Sequence, residues 1–167
     1  MLVGMWMTKD VVKVTPSTSI KDAAIAMVRN RIRRLLVVDK GLLVGMVTNN
    51  EIVRAYPPDI NPFAYDDAPP EVMGKRTIDE IMTQKVYATT RETPIEDAAE
   101  VMRMYKVGAL PVMDGKQVVG IITESDIFRA LVEMMEPSKP CLRITFDVSE
   151  NEDAVSFVVE LAKKHGL

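Results

Sequence analysis

The sequence predicts an α/β (α+β) fold in which a strand–helix–strand–strand–helix unit occurs twice, followed by one further strand and helix. Three observations predict it. Residues 7–55 lie over residues 82–130 without a gap when the chain is shifted by 75 positions, with roughly two-fifths of the positions identical. Each copy carries an apolar stripe at helical spacing, then two short apolar runs joined by a glycine-bearing turn. Between the copies, Pro57, Pro58, Pro62, Pro69 and Pro70 mark a tethered connection rather than a further long element.

Each unit opens with a short strand, Val11 to Val14 and Val86 to Thr89. In the first unit Ile20, Ala23, Ala24, Met27 and Val28 form one helical face. In the second, Thr93 is placed to cap, Pro94 suits the first helical position and Glu96 can complete a capping box. Two strands follow, Leu35 to Asp39 and Leu43 to Thr48, turning at Lys40-Gly41; their counterparts are Leu110 to Met113 and Val118 to Thr123, turning at Asp114-Gly115-Lys116. The run Val118-Val119-Gly120-Ile121-Ile122 suits a strand covered on both faces. A closing helix begins after Thr48 and after Thr123. Met27 and Met102 read as core residues, and Trp6 with the other early apolar residues as a sheet edge or dimer contact rather than a catalytic pocket.

The domain boundaries follow: 1–56 for the first repeat, 57–75 for the linker, 76–136 for the second repeat and 141–167 for the last segment. In that segment Leu142, Ile144, Phe146 and Val148 alternate with polar residues as in a half-buried strand. Ser149 and Glu152 make a capping box, Ala154, Val155, Val158, Leu161 and Ala162 a helical stripe, and Gly166 an end.

Composition excludes several classes. In 167 residues the only cysteine is Cys141 and the only histidine His165, so an internal disulfide, a cysteine-based zinc site and multi-histidine metal sites are ruled out. A net charge of -3 with both signs interspersed argues against a broad nucleic-acid surface. No apolar run approaches the ~18 residues of a membrane span, and Met1 to Met7 lacks the basic start of a signal peptide. The expected setting is the cytoplasm. Asp66-Asp67 fall in the proline-rich linker and read as a solvated acidic loop.

The repeat resembles the CBS domain, here as a tandem pair (a Bateman module). The resemblance rests on Trp6-Met7-Thr8 and Ile81-Met82-Thr83, on the Asp-Ala-Ala of each helix, on Ala109 to Asp114, and on Gly120-Ile121-Ile122-Thr123-Glu124-Ser125-Asp126. Residues Leu142 to Leu167 look like the first strand and helix of an ACT domain, which together with the pair is similar to AcuB-type acetoin-utilisation proteins. Where an ACT domain has a glycine-bearing turn, Ser149 to Asp153 stand here, which argues against amino-acid binding. The resemblance implies two repeats packed through their sheets, and two modules joined as a flat homodimer.

Thr123 ends a strand and starts a helix, where free N–H groups and the positive dipole end favour a phosphate. Asp126 falls on the same turn and can accept from ribose hydroxyls; the competing reading is a capping box serving the helix itself. Resemblance implies the ligand-binding role for both, toward an adenosine-containing ligand. It also implies an adenine slot at Ala88, Thr89 and Thr90 and at Gly108, Ala109, Leu110 and Pro111, where the small residues leave room for a ring. The first unit offers Thr48 and Glu51, the longer carboxylate favouring a plain capping box, so the Asp126 site should be the stronger. Arg33 and Arg34 can serve a polyphosphate across the cleft between the units or form a solvated basic helix end.

The function expected is therefore a non-catalytic sensor for AMP, ADP, ATP or S-adenosylmethionine, bound as an effector rather than a catalytic cofactor. The alternatives are a ligand-free interaction or oligomerisation scaffold, and a nucleic-acid-binding module using the Arg29 to Arg34 cluster.

Overall fold

Apolar periodicity sets the two long helices of the repeats at equivalent places. The computed structural model describes residues 1–64, 76–135 and 154–166. It separates into two compact units, Met1–Met134 and Met135–Leu167. In the first unit a short helix α1 (Val3–Trp6) precedes β1 (Lys13–Val14), α2 (Ile20–Asn30), β2 (Arg34–Asp39), β3 (Leu42–Thr48) and α3 (Asn49–Ala55). A 3₁₀ turn (Ile78–Glu80) then leads to β4 (Thr89–Thr90), α4 (Ile95–Tyr105), β5 (Ala109–Asp114), β6 (Gln117–Thr123) and α5 (Glu124–Met135). The order β-α-β-β-α, twice, is the one the sequence predicts. In the second unit α6 (Ala154–His165) ends at Gly166, whose φ of 68° suits a glycine stop. The strand expected from Leu142 to Val148, the Ser149–Glu152 capping box, Asp66-Asp67 and Cys141 lie outside the described residues.

Each repeat forms a three-stranded sheet, β1-β2-β3 and β4-β5-β6, with the first pair parallel and the second antiparallel. Beneath the first sheet, Ile20, Ala23, Ala24 and Met27 of α2 meet Leu35, Val37, Val47 and Ile52 in a buried core. Beneath the second, Ile95, Ala98 and Met102 meet Leu110, Val112, Ile122 and Ala130. The outer faces of the two sheets then share a small third cluster of Leu36, Ala109 and Ile121, edged by Val11, Leu43, Met46 and Val118. The repeats pack through their sheets.

The segments leading into the repeats are exchanged. Val3 and Met7 are buried in the core of the second repeat, and Ile78 in that of the first. Thr8 exchanges two backbone hydrogen bonds of 2.9 Å with Ile121 of β6, and Thr83 exchanges bonds of 2.9 and 3.0 Å with Met46 of β3. Two glycines make the approach possible. A Cβ on Gly120 would come within 2.7 Å of Met7 Sδ, and one on Gly45 within 2.7 Å of Met82 Sδ. The segment of Trp6 and Met7 thus leads into a backbone pairing at the edge of the second sheet, through Thr8 and Ile121, while Met7 itself is buried in that repeat's core.

That exchange explains a difference from the predicted strands. Bonded at Thr8 to the second sheet, the chain must cross to the first, so only Lys13 and Val14 join the ladder, and Val11 and Val12 stay out of it. Thr83 imposes the same crossing before β4. The helix start at α4 also differs. Pro94 takes the cap position without a side-chain bond, while the Thr93 hydroxyl accepts from Thr90 N–H at 3.2 Å. In α2 the equivalent position is Ser19, whose hydroxyl accepts from Asp22 N–H at 3.0 Å.

Candidate functional site

Where the exchanged segments cross, two clefts open. The first, of about 220 Å³, is lined from the first repeat by Thr8, Asp10, Val11 and Val12 on the crossing segment and by Ile32, Arg33 and Arg34 at the approach to β2. The second repeat supplies Ile121, Thr123, Ser125 and Asp126. A second cleft of about 350 Å³ carries Thr83, Lys85, Val86, Tyr87, Val107, Gly108 and Ala109 from one side and Met46, Thr48, Asn50 and Glu51 from the other. Each residue of the first cleft has its counterpart, 75 positions away, in the second. Arg34, Asn49 and Lys106 complete the second lining.

The structure regroups the predicted residues. Thr123 and Asp126 share a cleft with Arg33 and Arg34, whereas Gly108 and Ala109 lie with Thr48 and Glu51. Of the expected adenine slot at 88–90 and 108–111, Gly108 and Ala109 thus line the Thr48–Glu51 cleft and not the Asp126 cleft. Leu110 and Pro111 are buried in or beside the second core, and Ala88, Thr89 and Thr90 line neither cleft. Thr89 is 8% exposed and its hydroxyl has no hydrogen-bond partner among the described residues. The bare Gly108 is approached by two side-chain ends. A Cβ there would stand 2.9 Å from Arg34 Nη2 and 3.0 Å from Glu124 Oε2.

Residues the sequence reading did not single out are Thr8, Asp10, Val11, Val12, Ile32 and Ser125 on one side, and Lys85, Tyr87 and Lys106 on the other. In the first cleft Val11, Val12, Ile32 and Ile121 supply apolar lining beside the polar turn at Thr123.

At that turn Asp126 caps its own helix. Its Oδ2 accepts from Thr123 N–H at 3.0 Å and from the Thr123 hydroxyl at 2.7 Å, while Asp126 N–H donates to Thr123 Oγ1 at 3.3 Å. Oδ1 accepts from Arg129 Nη2 at 3.2 Å. The same guanidinium donates to Trp6 O at 3.2 Å and lies 5.7 Å from the Trp6 ring centroid. A carboxylate offers about four lone-pair positions. With three of them taken, Asp126 keeps capacity for one incoming hydroxyl rather than a pair. Glu51 caps α3 in the same way, accepting from Thr48 N–H at 2.8 Å and from the Thr48 hydroxyl. Both carboxylates cap, so capping alone does not distinguish the two sites.

Arg34 sits between the clefts. Its Nη1 donates to Gly108 O at 2.8 Å, tying the two repeats together. Burial pulls its guanidinium below the ordinary arginine value, with Glu124 opposing and Arg33 adding to that shift. Because Arg34 turns inward, the run Arg29 to Arg34 is not one continuous basic face.

Comparison with known proteins decides the family. The CBS domain profile matches residues 3–58 and again 78–133. The chain belongs to the CBS domain family. It is 35% identical over 129 residues to protein MJ1225 of Methanocaldococcus jannaschii, covering 74% of this chain and 45% of that protein, so it spans less than half of the relative's length. Its fold is similar to the CBS domain pair of protein MJ0100, solved with 5′-methylthioadenosine and S-adenosyl-L-methionine, at 30% identity and a TM-score of 0.66 over 80% of this chain and 98% of that one. It is also similar to CBSX2, solved with AMP, at 27% identity and a TM-score of 0.65 over 81% and 98%. A putative acetoin utilization protein, AcuB, from Vibrio cholerae shares the fold at 23% identity and a TM-score of 0.66 over 81% and 94%. No helix among the described residues is long and apolar enough to cross a membrane.

Proposed function

We propose that this CBS pair is a non-catalytic regulatory module that takes an adenosine-containing ligand (AMP, ADP, ATP or S-adenosylmethionine) into the Thr123–Asp126 cleft. One observation carries the reading: the cleft is built from both repeats, with an apolar wall, a helix N-terminus and two arginines facing one another across it. The wall of Val11, Val12 and Ile32 suits a purine, the positive dipole end of α5 suits a phosphate, and Arg33 and Arg34 suit further phosphate oxygens. Asp126 takes one ribose hydroxyl on the lone pair its cap leaves unused.

A ligand that touches both repeats binds best in one relative arrangement of them and so shifts the population toward it. The partner or the C-terminal segment receives that shift. Exposed Phe128, Leu131, Val132 and Met134 along α5 support association of two modules through their closing helices. The solved complexes of the MJ0100 pair and of CBSX2 support the ligand class.

Thermal unfolding in the presence of AMP, ADP, ATP, S-adenosylmethionine, 5′-methylthioadenosine and NADH tests the reading. At about 100 times its dissociation constant a true ligand adds roughly 2.7 kcal/mol of stability. No shift with any of these compounds would refute the sensor function.

A further inference from the structure

Arg129 joins groups that the sequence keeps far apart. Its Nη2 donates to Asp126 Oδ1 and to the carbonyl of Trp6, each at 3.2 Å, and its guanidinium lies over the Trp6 ring. The Asp126 side chain is 12% exposed, whereas that of Arg129 is 61% exposed and stands outside the cleft lining. Arg129 therefore reaches the cleft only through Asp126. Before Trp6, the N-terminal segment grips the second repeat by its backbone. Val3 N–H donates to Thr93 O, Gly4 N–H to Arg91 O, and Met1 O accepts from Ile95 N–H, each at 2.9 Å. That last bond gives the start of α4 an acceptor, where Pro94 provides no side-chain cap. Trp6 Nε1 is buried with no hydrogen-bond partner among the described residues, so apolar packing and the arginine over the ring set the place of the indole.

The other repeat lacks this arrangement. Shifted by 75 positions, Asp126, Arg129 and Trp6 fall on Glu51, Arg54 and Ile81. The Arg54 side chain is exposed and, among the described residues, makes no ion pair or hydrogen bond, and Ile81 offers no aromatic face. Both carboxylates cap their helices, but only Asp126 is tied to the segment leading into the fold.

We propose that Arg129 is a positioning residue that latches the N-terminal segment, Met1 to Thr8, to the Asp126 carboxylate, so that the state of the carboxylate sets how firmly the segment is held. The cap occupies Oδ2, so a hydroxyl arriving at Asp126 must share Oδ1 with Arg129 and weakens the arginine's hold. By linkage, whatever binds there loosens the segment, and a docked segment weakens that binding by the same factor. This last step rests on the sensor reading and names the part of the chain that feels occupancy first.

Trp6 is the only tryptophan of the chain, so its emission and its quenching by acrylamide read the latch. The test compares the full chain with Asp126→Asn, Arg129→Gln and the double variant, and adds amide exchange at Val3, Gly4 and Ile95. Asp126→Asn is the telling variant, because that carboxylate bonds Thr123 and Arg129 but not Trp6. It should raise Trp6 quenching and speed exchange at the three amides about two- to fivefold, the scale of a partly exposed ion pair. Arg129→Gln should do the same, and the double variant no more than either alone. Arg54→Gln should leave exchange at Met46 and Thr83, the matching contact of the other repeat, as in the parent. Native quenching and exchange in Asp126→Asn, or additive effects in the double variant, would overturn the latch. Titration of the parent with AMP and with S-adenosylmethionine, read by calorimetry and Trp6 quenching together, separates the latch from the sensor reading. Binding heat with increased quenching upholds both, and binding heat with unchanged quenching overturns the coupling while leaving the sensor intact. No binding heat with either compound counts against the sensor alone, the ligand-free variants having decided the latch.

Discussion

Replacing Ile78 by alanine should cost about 2–5 kcal/mol of stability and loosen the first repeat, although Ile78 precedes the second in sequence. The side chain is fully buried among Ile20, Met27, Leu35 and Ile52, and its backbone N–H donates to Thr18 O at 2.9 Å. Hydrogen exchange gives the local readout. Amide protection should fall across α2, β2 and β3, with α4, β5 and β6 less affected. Val3→Ala should do the converse, because Val3 is fully buried with Ile95, Ala98 and Leu110. Loss of protection confined to α4, β5 and β6 in the Ile78 variant would contradict the exchanged packing.

Asp126 carries the second large effect, and its two roles can be separated by choice of variant. Asp126→Ala removes the carboxylate half of the capping box, leaving the Thr123 hydroxyl on the Asp126 N–H, and should cost about 0.5–1.5 kcal/mol of stability before any ligand is added. Asp126→Asn keeps an acceptor for Thr123 N–H but loses the charge that pairs with Arg129 at 3.2 Å. A hydrogen bond to a charged group is worth about 1.5–3 kcal/mol, so the asparagine variant should bind its adenosyl ligand roughly 10- to 100-fold more weakly while remaining near native stability. Titration calorimetry of both variants beside the parent gives the answer. Undiminished affinity in both would leave Asp126 as a cap and nothing more.

Much of the architecture is legible in the chain because periodicity encodes it. The stripes at Ile20 to Met27 and Ile95 to Met102 place α2 and α4, and the apolar runs after them place the strands. What periodicity cannot encode is which repeat each copy of a segment packs against. Both repeats carry a Met-Thr pair and a strand glycine, so Met7 against Gly120 and Met7 against Gly45 are equally consistent with the pattern. The close approaches of Met7 to Gly120 and of Met82 to Gly45 show the exchanged choice.

The candidate site inherits that ambiguity. Thr123 and Asp126 were recognisable from a strand end followed by a helix start, and Arg33 and Arg34 from their charge. Their joint cleft was not, because it depends on Thr8 bonding to Ile121 and carrying Asp10 to Val12 past the end of β6. The surroundings of Gly108 are a related case. Arg34 of the other repeat donates to its carbonyl from 74 residues away in sequence, a contact that spacing does not encode.

The central claim is that an adenosyl ligand sits between the repeats and touches both. Backbone amide shift mapping by NMR during titration with AMP or S-adenosylmethionine tests it most directly. Signals of Val11, Val12 and Ile32 should move together with those of Thr123, Ser125 and Asp126. Movement confined to Ala88–Thr90 and Leu110, or to one repeat alone, would contradict the account.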